Sequence, residues 1–167
     1  MVDFGKLQNG REIAGHCGAD VAEETRIDKV TAGQIGGAFA YWLSQKVQKN
    51  PVMLNICVGR SDDSNAEELA EGLFEAIALW GAKIHDAGVV AADAAAAAPN
   101  LPCFEIDGAI MVAADSSMAF IKLYSPEGEP SEEELKEILR TASRYNFIGG
   151  EYEKEEISLM KMYELYK

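Results

Sequence analysis

Apolar positions along the chain follow two periods, one typical of helices and one typical of buried strands. Three segments carry apolar side chains at steps of three and four residues, which predicts amphipathic helices near 31–47, 64–81 and 131–142. Short, nearly continuous apolar runs predict strands, since a run of this length fits a strand buried on both faces. These runs lie at 52–58, 83–90, 109–113 and 120–124.

Polar residues mark where the predicted helices begin. A Ser or Thr followed three residues later by Glu or Gln can satisfy two free backbone amides at a helix start. The pairs are Thr31 with Gln34, Ser64 with Glu67, and Ser131 with Glu134. Gly81 predicts the end of the second helix. An alanine-rich stretch at 91–98 predicts a short helix, and a last helix is predicted from about residue 153 to residue 166.

The alternation of strands and helices predicts the fold class. Helices long enough to cover both faces of a sheet favour an α/β protein, a three-layer α/β/α sandwich with a mixed, mostly parallel sheet. The link at 114–119 is too short for a parallel crossover. The strands on either side of it are therefore expected to pair antiparallel or to lie apart.

We expect one α/β/α domain over residues 1–145. Two glycines at 149 and 150 make 146–150 the best candidate hinge, and residues 146–167 are expected to add this hinge and a C-terminal helix that packs on the same domain. A chain of 167 residues is long enough for one self-supporting core.

Charge and cysteine usage narrow the function classes. The chain has 28 acidic and 15 basic residues, a net charge of −13. Nucleic acids and anionic membranes bind surfaces rich in Lys and Arg, so we expect neither as a partner. Three scattered cysteines indicate a reducing compartment. The start of the chain lacks a signal-peptide pattern and no apolar run is long enough to span a membrane, so we expect a cytoplasmic protein.

An ordered set of short segments also runs through most of the chain. They read KLQNG at 6–10, VGR at 58–60, DAGVV at 86–90, DGAIM at 107–111 and IKL at 121–123. Together they resemble the first domain of the α-D-phosphohexomutases, the phosphoglucomutase/phosphomannomutase superfamily. The resemblance covers about residues 6–145.

The resemblance implies a four-domain enzyme of carbohydrate metabolism in which a phosphoserine exchanges its phosphoryl group with a hexose phosphate. The first domain would supply the phosphoserine loop, and a carboxylate loop in the second domain would hold Mg²⁺. Only the first domain fits here, and the sequence has no D-G-D-G-D-R-like metal loop. We therefore expect no metal site and no cofactor in this chain alone.

The positions that carry the family's chemistry depart from its pattern. The family's T-A-S-H-x-P loop corresponds to residues 113–118, which read AADSSM and place Asp115 at the phosphoserine position. A shifted register would make Ser116 or Ser117 the phosphoryl acceptor. Lys122 matches the family's lysine, and Arg60 matches the first arginine of the G-R-D-x-R loop. A tight polar turn at 115–117 and a solvent-exposed Lys122 are the simpler interpretations.

These departures predict a domain that does not catalyse phosphoryl transfer on its own, a scaffold that is either degenerate or engineered. The alanine tract favours engineering, because alanine suits a helix surface from which contacts have been removed. Two alternatives stay open: a pseudoenzyme that serves interaction or assembly, with a second copy or another chain as partner, and a half-enzyme completed by a partner chain. A hexose phosphate would be a ligand only if the family's activity survives.

Overall fold

A computed structural model describes residues 1–18, 21–144 and 149–167. In chain order the strands are β1 (Gln8–Asn9), β2 (Glu12–His16), β3 (Asn55–Arg60), β4 (Lys83–Val89), β5 (Gly108–Ala114), β6 (Met118–Tyr124) and β7 (Lys154–Glu156). The helices are α1 (Lys29–Val47), α2 (Ser64–Leu79), α3 (Ala92–Ala97), α4 (Glu132–Arg144) and α5 (Leu159–Tyr166).

The strands form one mixed sheet in the order β1-β2-β6-β5-β3-β4-β7. Parallel pairing joins β5, β3, β4 and β7, and antiparallel pairing joins β1, β2, β6 and β5. The predicted α/β/α sandwich with a mixed sheet is confirmed. The expected antiparallel pairing across the short 114–119 link is also confirmed, with Ala114 opposite Ala119.

The helices divide between the two faces of the sheet. Side chains of successive strand residues point to opposite faces. Ile110 and Val112 of β5 join the core beneath α1, α2 and α4, whereas Met111 joins a smaller core beneath α3 and α5. This second layer leaves part of the sheet uncovered, because Phe120 and Lys122 of β6 stay partly exposed.

Helices α1 and α2 approach closely because each presents a glycine at their contact. A Cβ added at Gly36 would lie 2.9 Å from Cδ2 of Leu73, and one added at Gly72 would collide with the carbonyl oxygen of Lys29. Around this contact Phe39 and Ile77 are fully buried. Any side chain larger than glycine at these two positions would therefore force atoms of the other helix to move.

The helix starts differ in part from the predicted capping pairs. Helix α1 begins at Lys29 because Asp28 accepts a hydrogen bond from the Thr31 amide at 2.9 Å. The prediction that Thr31 opens this helix is therefore wrong. The predicted box at α4 is confirmed: Ser131 Oγ accepts from the Glu134 amide at 3.1 Å, and Glu134 Oε1 accepts from the Ser131 amide at 3.0 Å.

The C-terminal segment differs more. Its predicted helix begins only at Leu159, because residues 154–156 form edge strand β7 beside β4. These three residues are exposed, so no apolar period marks them as a strand. The amide of Ile157 donates to the carbonyl oxygen of Asp86 at 2.9 Å. Residues 146–148 of the predicted hinge lie outside the described part of the chain, and the division at residue 145 stays a prediction.

The strands also begin and end at other residues than predicted. Residues 51–53 form a 3₁₀ turn, and β3 starts only at Asn55 and continues to Arg60. Strands β1 and β2 were not predicted, because their residues show no continuous apolar run. None of the described helices is both long enough and apolar enough to cross a membrane.

The alanine-rich helix α3 is buried on one side, while Ala92 and Asp93 at its start are exposed. Ala94, Ala95 and Ala98 are fully buried in the smaller core, together with Leu159 of α5. The hydroxyl of Tyr163 on α5 donates to Asp93 on α3 at 3.1 Å. Small side chains are needed where α3 packs against the sheet and α5. The interpretation of these three alanines as a stripped surface is therefore wrong, and an engineered origin stays a prediction.

Candidate functional site

The residues at the predicted phosphoserine position form the tight link between β5 and β6, here called the 115–117 loop. The loop follows the carboxyl end of β5, beside the end of the parallel strand β3. Open α/β sheets bind ligands at the carboxyl ends of their parallel strands. This edge of the sheet is therefore the candidate site.

The carboxylate of Asp115 is directed back onto its own loop. Its Oδ1 accepts hydrogen bonds from the backbone amides of Ser117 and Met118, both at 2.8 Å, and from Ser117 Oγ at 3.2 Å. The backbone hydrogen bonds hold the pKa of Asp115 below its ordinary value. The Asp115 amide donates to the Met118 carbonyl oxygen at 2.9 Å, which closes the turn.

Three side chains that the sequence analysis did not assign to the site fasten this loop. Asn65 Nδ2 donates to the carbonyl oxygen of Asp115 at 2.9 Å, and Cys17 Sγ donates to the same oxygen at 3.3 Å. Ser61 Oγ accepts from the amide of Ala114 at 3.1 Å. In the sequence, only the position of Ser61 and Asn65 after a predicted strand indicated that they could belong to the site. No feature of the sequence indicated that Cys17 does.

A carboxylate also caps the N-terminus of α2. Asp63 Oδ1 accepts from the amides of Asn65 at 2.8 Å and Ala66 at 3.4 Å. This takes up amides that would otherwise bind an anion at a helix start. Asp63 is therefore the N-cap of α2.

Arg60 and the two serines lie at the same edge of the sheet. Arg60 ends β3, and its Nη1 donates to the carbonyl oxygen of its neighbour Ser61 at 3.2 Å. Ser116 is exposed, and Ser117 Oγ donates to Asp115. His16 also reaches this edge, opposite Met118 in the sheet, but its Nδ1 lies 3.0 Å from Thr25 Oγ1.

Lys122 lies apart from the other predicted site residues. It is four residues beyond the start of β6, about 13 Å along the strand. Its Nζ is 3.9 Å from Glu129 Oε1, in a recess of about 430 Å³ that α3 borders. The structure thus brings Asp115, Ser116, Ser117 and Arg60 to one edge of the sheet and places Lys122 elsewhere.

A small recess of about 210 Å³ adjoins the 115–117 loop, with Cys17, Arg26, Asp28, Asn65 and Glu68 in its wall. Burial raises the pKa of the Cys17 thiol, and the nearby carboxylates of Asp115 and Asp63 raise it further. A thiol held in its protonated form is a poor nucleophile. The wall carries more acidic than basic groups, which disfavours an anionic ligand.

No group of three or more His, Cys, Asp or Glu side chains is placed to hold a metal ion within 1–18, 21–144 and 149–167. The donors already bonded to Asp115 Oδ1 make that oxygen a poor metal ligand. The Mg²⁺ that the family resemblance implies would be held by a domain that this sequence does not include.

No protein-family model and no curated protein matches this chain. Solved structures do match. A phosphoglucomutase/phosphomannomutase family protein from Burkholderia thailandensis superposes with a TM-score of 0.76 at 17% sequence identity, over 98% of this chain and 35% of that one. A Thermus thermophilus protein assigned as a phosphomannomutase superposes with a TM-score of 0.67 at 18% identity, over 92% of this chain and 33% of that one.

This chain therefore has the fold found in part of the phosphoglucomutase/phosphomannomutase family proteins, and the resemblance predicted from the ordered segments is confirmed at the level of the fold. It spans about a third of the length of both matched chains. At this sequence identity the similarity concerns the fold and leaves the chemistry to be argued from the site.

Proposed function

We propose that this chain is a non-catalytic relative of the phosphohexomutase first domain, a scaffold that keeps the fold and has no phosphoryl-transfer activity of its own. The observation that carries the proposal is the closed 115–117 loop. The side chain at the position expected for the phosphoserine is occupied with hydrogen bonds to its own turn.

The first support is the lack of an activated nucleophile. A hydroxyl or carboxylate that accepts a phosphoryl group needs a base, a metal ion or cationic donors around it. Asp115 receives its hydrogen bonds from neutral amides, and Ser117 donates its hydroxyl to that carboxylate. Ser116 is exposed to solvent. Among the described residues, no base or cationic side chain is hydrogen-bonded to the side chains of these three residues.

The second support is the local charge. Asp62, Asp63 and Asp115 gather at this edge of the sheet, and Glu68 lines the adjoining recess. A phosphate dianion would meet repulsion from these carboxylates, and Asp63 also occupies the amides at the start of α2. Lys122, which matches the family's lysine, lies beside Glu129.

The test is incubation with glucose 1,6-bisphosphate and Mg²⁺, followed by intact-mass measurement, with an active phosphoglucomutase as positive control. We expect no added phosphate on this chain. A matched variant, Asp115→Ser, restores a serine without restoring the missing cations, and we expect it to stay unmodified. Phosphate on Asp115, Ser116 or Ser117 of the natural chain would contradict the proposal.

The two alternatives make different predictions. An assembly module should form a stable oligomer, which sedimentation equilibrium would detect as a mass above that of one chain. A half-enzyme should acquire phosphate only in the presence of a second chain that supplies the part of the matched structures which this chain does not cover. Free thiols at Cys17, Cys57 and Cys103 support a cytoplasmic location for either form.

A further inference from the structure

A chain of polar contacts crosses the sheet at the end opposite the candidate site. Lys49 Nζ lies 2.7 Å from Asp107 Oδ1, and Asp107 Oδ2 accepts from the Asn55 amide at 2.8 Å. Asn55 Oδ1 in turn lies 2.9 Å from Nε2 of His85 on β4. The contacts therefore connect the residues after α1 with the outer part of the sheet.

His85 is the last residue in this series of polar contacts, and one of its ring nitrogens makes no hydrogen bond to any described residue. Because the carbonyl oxygen of the Asn55 side chain can only accept, Nε2 of the neutral imidazole carries the proton. Nδ1 is then an unprotonated nitrogen, and it is buried with no hydrogen-bond partner among residues 1–18, 21–144 and 149–167. The nearest carboxylate oxygen, Glu155 Oε2 on β7, is 3.9 Å away, too far for a hydrogen bond.

Strand β7 lies directly beside His85 in the sheet and carries the carboxylate nearest to Nδ1. It pairs with β4 in parallel, with Glu155 opposite His85. The side chain of His85 is 14% exposed, whereas that of Glu155 is 73% exposed. The strand is anchored by Lys154, whose Nζ lies 2.6 Å from Asp86 Oδ2, and by the Ile157 amide bonded to the Asp86 carbonyl oxygen.

We propose that His85 is an acid-sensitive latch whose protonation favours release of β7, and with it α5, from the sheet. A second proton gives Nδ1 a donor with no acceptor within hydrogen-bond distance while β7 is in place. Opening of β7 admits water to the imidazolium and satisfies that donor. Release would uncover Leu159 and the buried alanines of α3.

The charges that act on His85 support this direction. Burial is the largest influence on the pKa of His85 and lowers it, Glu155 and Asp107 raise it, Lys83 lowers it, and the net direction is downward. The closed form therefore binds fewer protons than the open form, whose imidazole has an ordinary pKa of about 6.5. The stability of the closed form is complete above that value and is lost as pH falls below it toward the depressed pKa of the closed form.

Amide hydrogen exchange by NMR tests the proposal. The protection factor of the Ile157 amide reports on β7, and that of Val90, which donates to the Arg60 carbonyl oxygen at 3.0 Å, is the internal reference. Between about pH 7 and about pH 5 we expect the ratio of Ile157 to Val90 protection to fall, by at most about tenfold per pH unit for one proton. A ratio that is constant or rises as pH falls would overturn the proposal.

Three variants make the assignment specific. His85→Gln keeps an N–H donor for Asn55 and cannot titrate, so the pH dependence should vanish. Glu155→Gln removes a charge that favours the imidazolium in the closed form, so the fall should begin at the same pH and continue to lower pH, which lowers its midpoint. This variant serves as the test if His85→Gln does not fold. His16→Gln alters the only other histidine of the sequence and should leave the dependence intact. A dependence that persists in His85→Gln, or an unchanged midpoint in Glu155→Gln, would contradict the latch.

Discussion

Two regions of the molecule have close contacts of different kinds. The contact between α1 and α2 is apolar, whereas the 115–117 loop is held by polar groups. At the helix contact, Gly36 and Gly72 leave room for residues of the other helix, which allows the two helices to pack into a core that excludes water. At the loop, polar groups that resemble a reaction site bond to one another and to the backbone. The comparison teaches that the apolar and glycine positions which specify this fold are separable from the polar positions which would carry its chemistry.

The largest effect is expected at the helix contact. Gly72→Ala should destabilise the protein by about 1–3 kcal/mol, because the new methyl group meets the Lys29 carbonyl oxygen. The same exchange at an unobstructed helix position is stabilising. Urea denaturation measures the change, and Ser143→Ala on the exposed side of α4 is the control, expected within about 0.5 kcal/mol of the natural chain. A Gly72→Ala protein of unchanged stability would remove the distinction between the two regions.

A smaller loss of stability is expected where the two regions meet. Asp63 caps α2 beside the candidate site, so Asp63→Ala should cost about 1 kcal/mol. Its exposed neighbour provides the matched control, since Asp62→Ala removes the same charge without removing a cap. If both variants unfold at the same urea concentration, the carboxylate at residue 63 acts only through its charge and the capping argument fails.

Asp115 should show a local pH effect. Its pKa is lowered in the folded protein, so its contribution to loop stability is present above the unfolded pKa of about 3.9 and is lost as pH falls through the folded value. The protection of the Met118 amide, which donates to Asp115 Oδ1, should decrease over that range. Asp115→Asn keeps an acceptor oxygen and should abolish this pH dependence. Retention of the dependence in that variant would assign it to another carboxylate.

The smallest effect is expected at Lys122. Its Nζ lies 3.9 Å from a carboxylate in a partly exposed recess, and such pairs contribute at most about 1 kcal/mol. Lys122→Ala should therefore change the urea midpoint little and should leave the chemical-shift response to added glucose 6-phosphate unchanged. A response at the 115–117 loop that disappears in the variant would join Lys122 to the candidate site and weaken the separation proposed above.

The fold could be predicted from sequence where the signal is local. The box at Ser131 and Glu134 and the helical apolar period that follows it are contained in a few consecutive residues, and α4 formed as predicted. The start of α1 was missed because Asp28, three residues before Thr31, is the stronger cap. Strand β7 was missed because its residues are polar and exposed, and only pairing with β4 makes them a strand.

The site could be predicted only in part because its contacts are distant in sequence. The position of Asp115 after a strand was visible, but its attachment to Asn65 and Cys17 spans 50 and 98 residues. The alanine tract shows the same limit. Its composition fits an exposed helix and a buried one equally, and the placement of α5 over α3 decided between them.

The ties between Asp115, Asn65 and Cys17 also bear on the order of events during folding. The carbonyl oxygen that both side chains bind can be captured only after β2, α2 and β5 have come together, whereas α1 and α2 make contacts that are closer in sequence. Contacts that close long loops form late, and substitutions at late-forming positions mainly accelerate unfolding. Asn65→Ala should accordingly increase the unfolding rate measured in a kinetic experiment and leave the refolding rate almost unchanged.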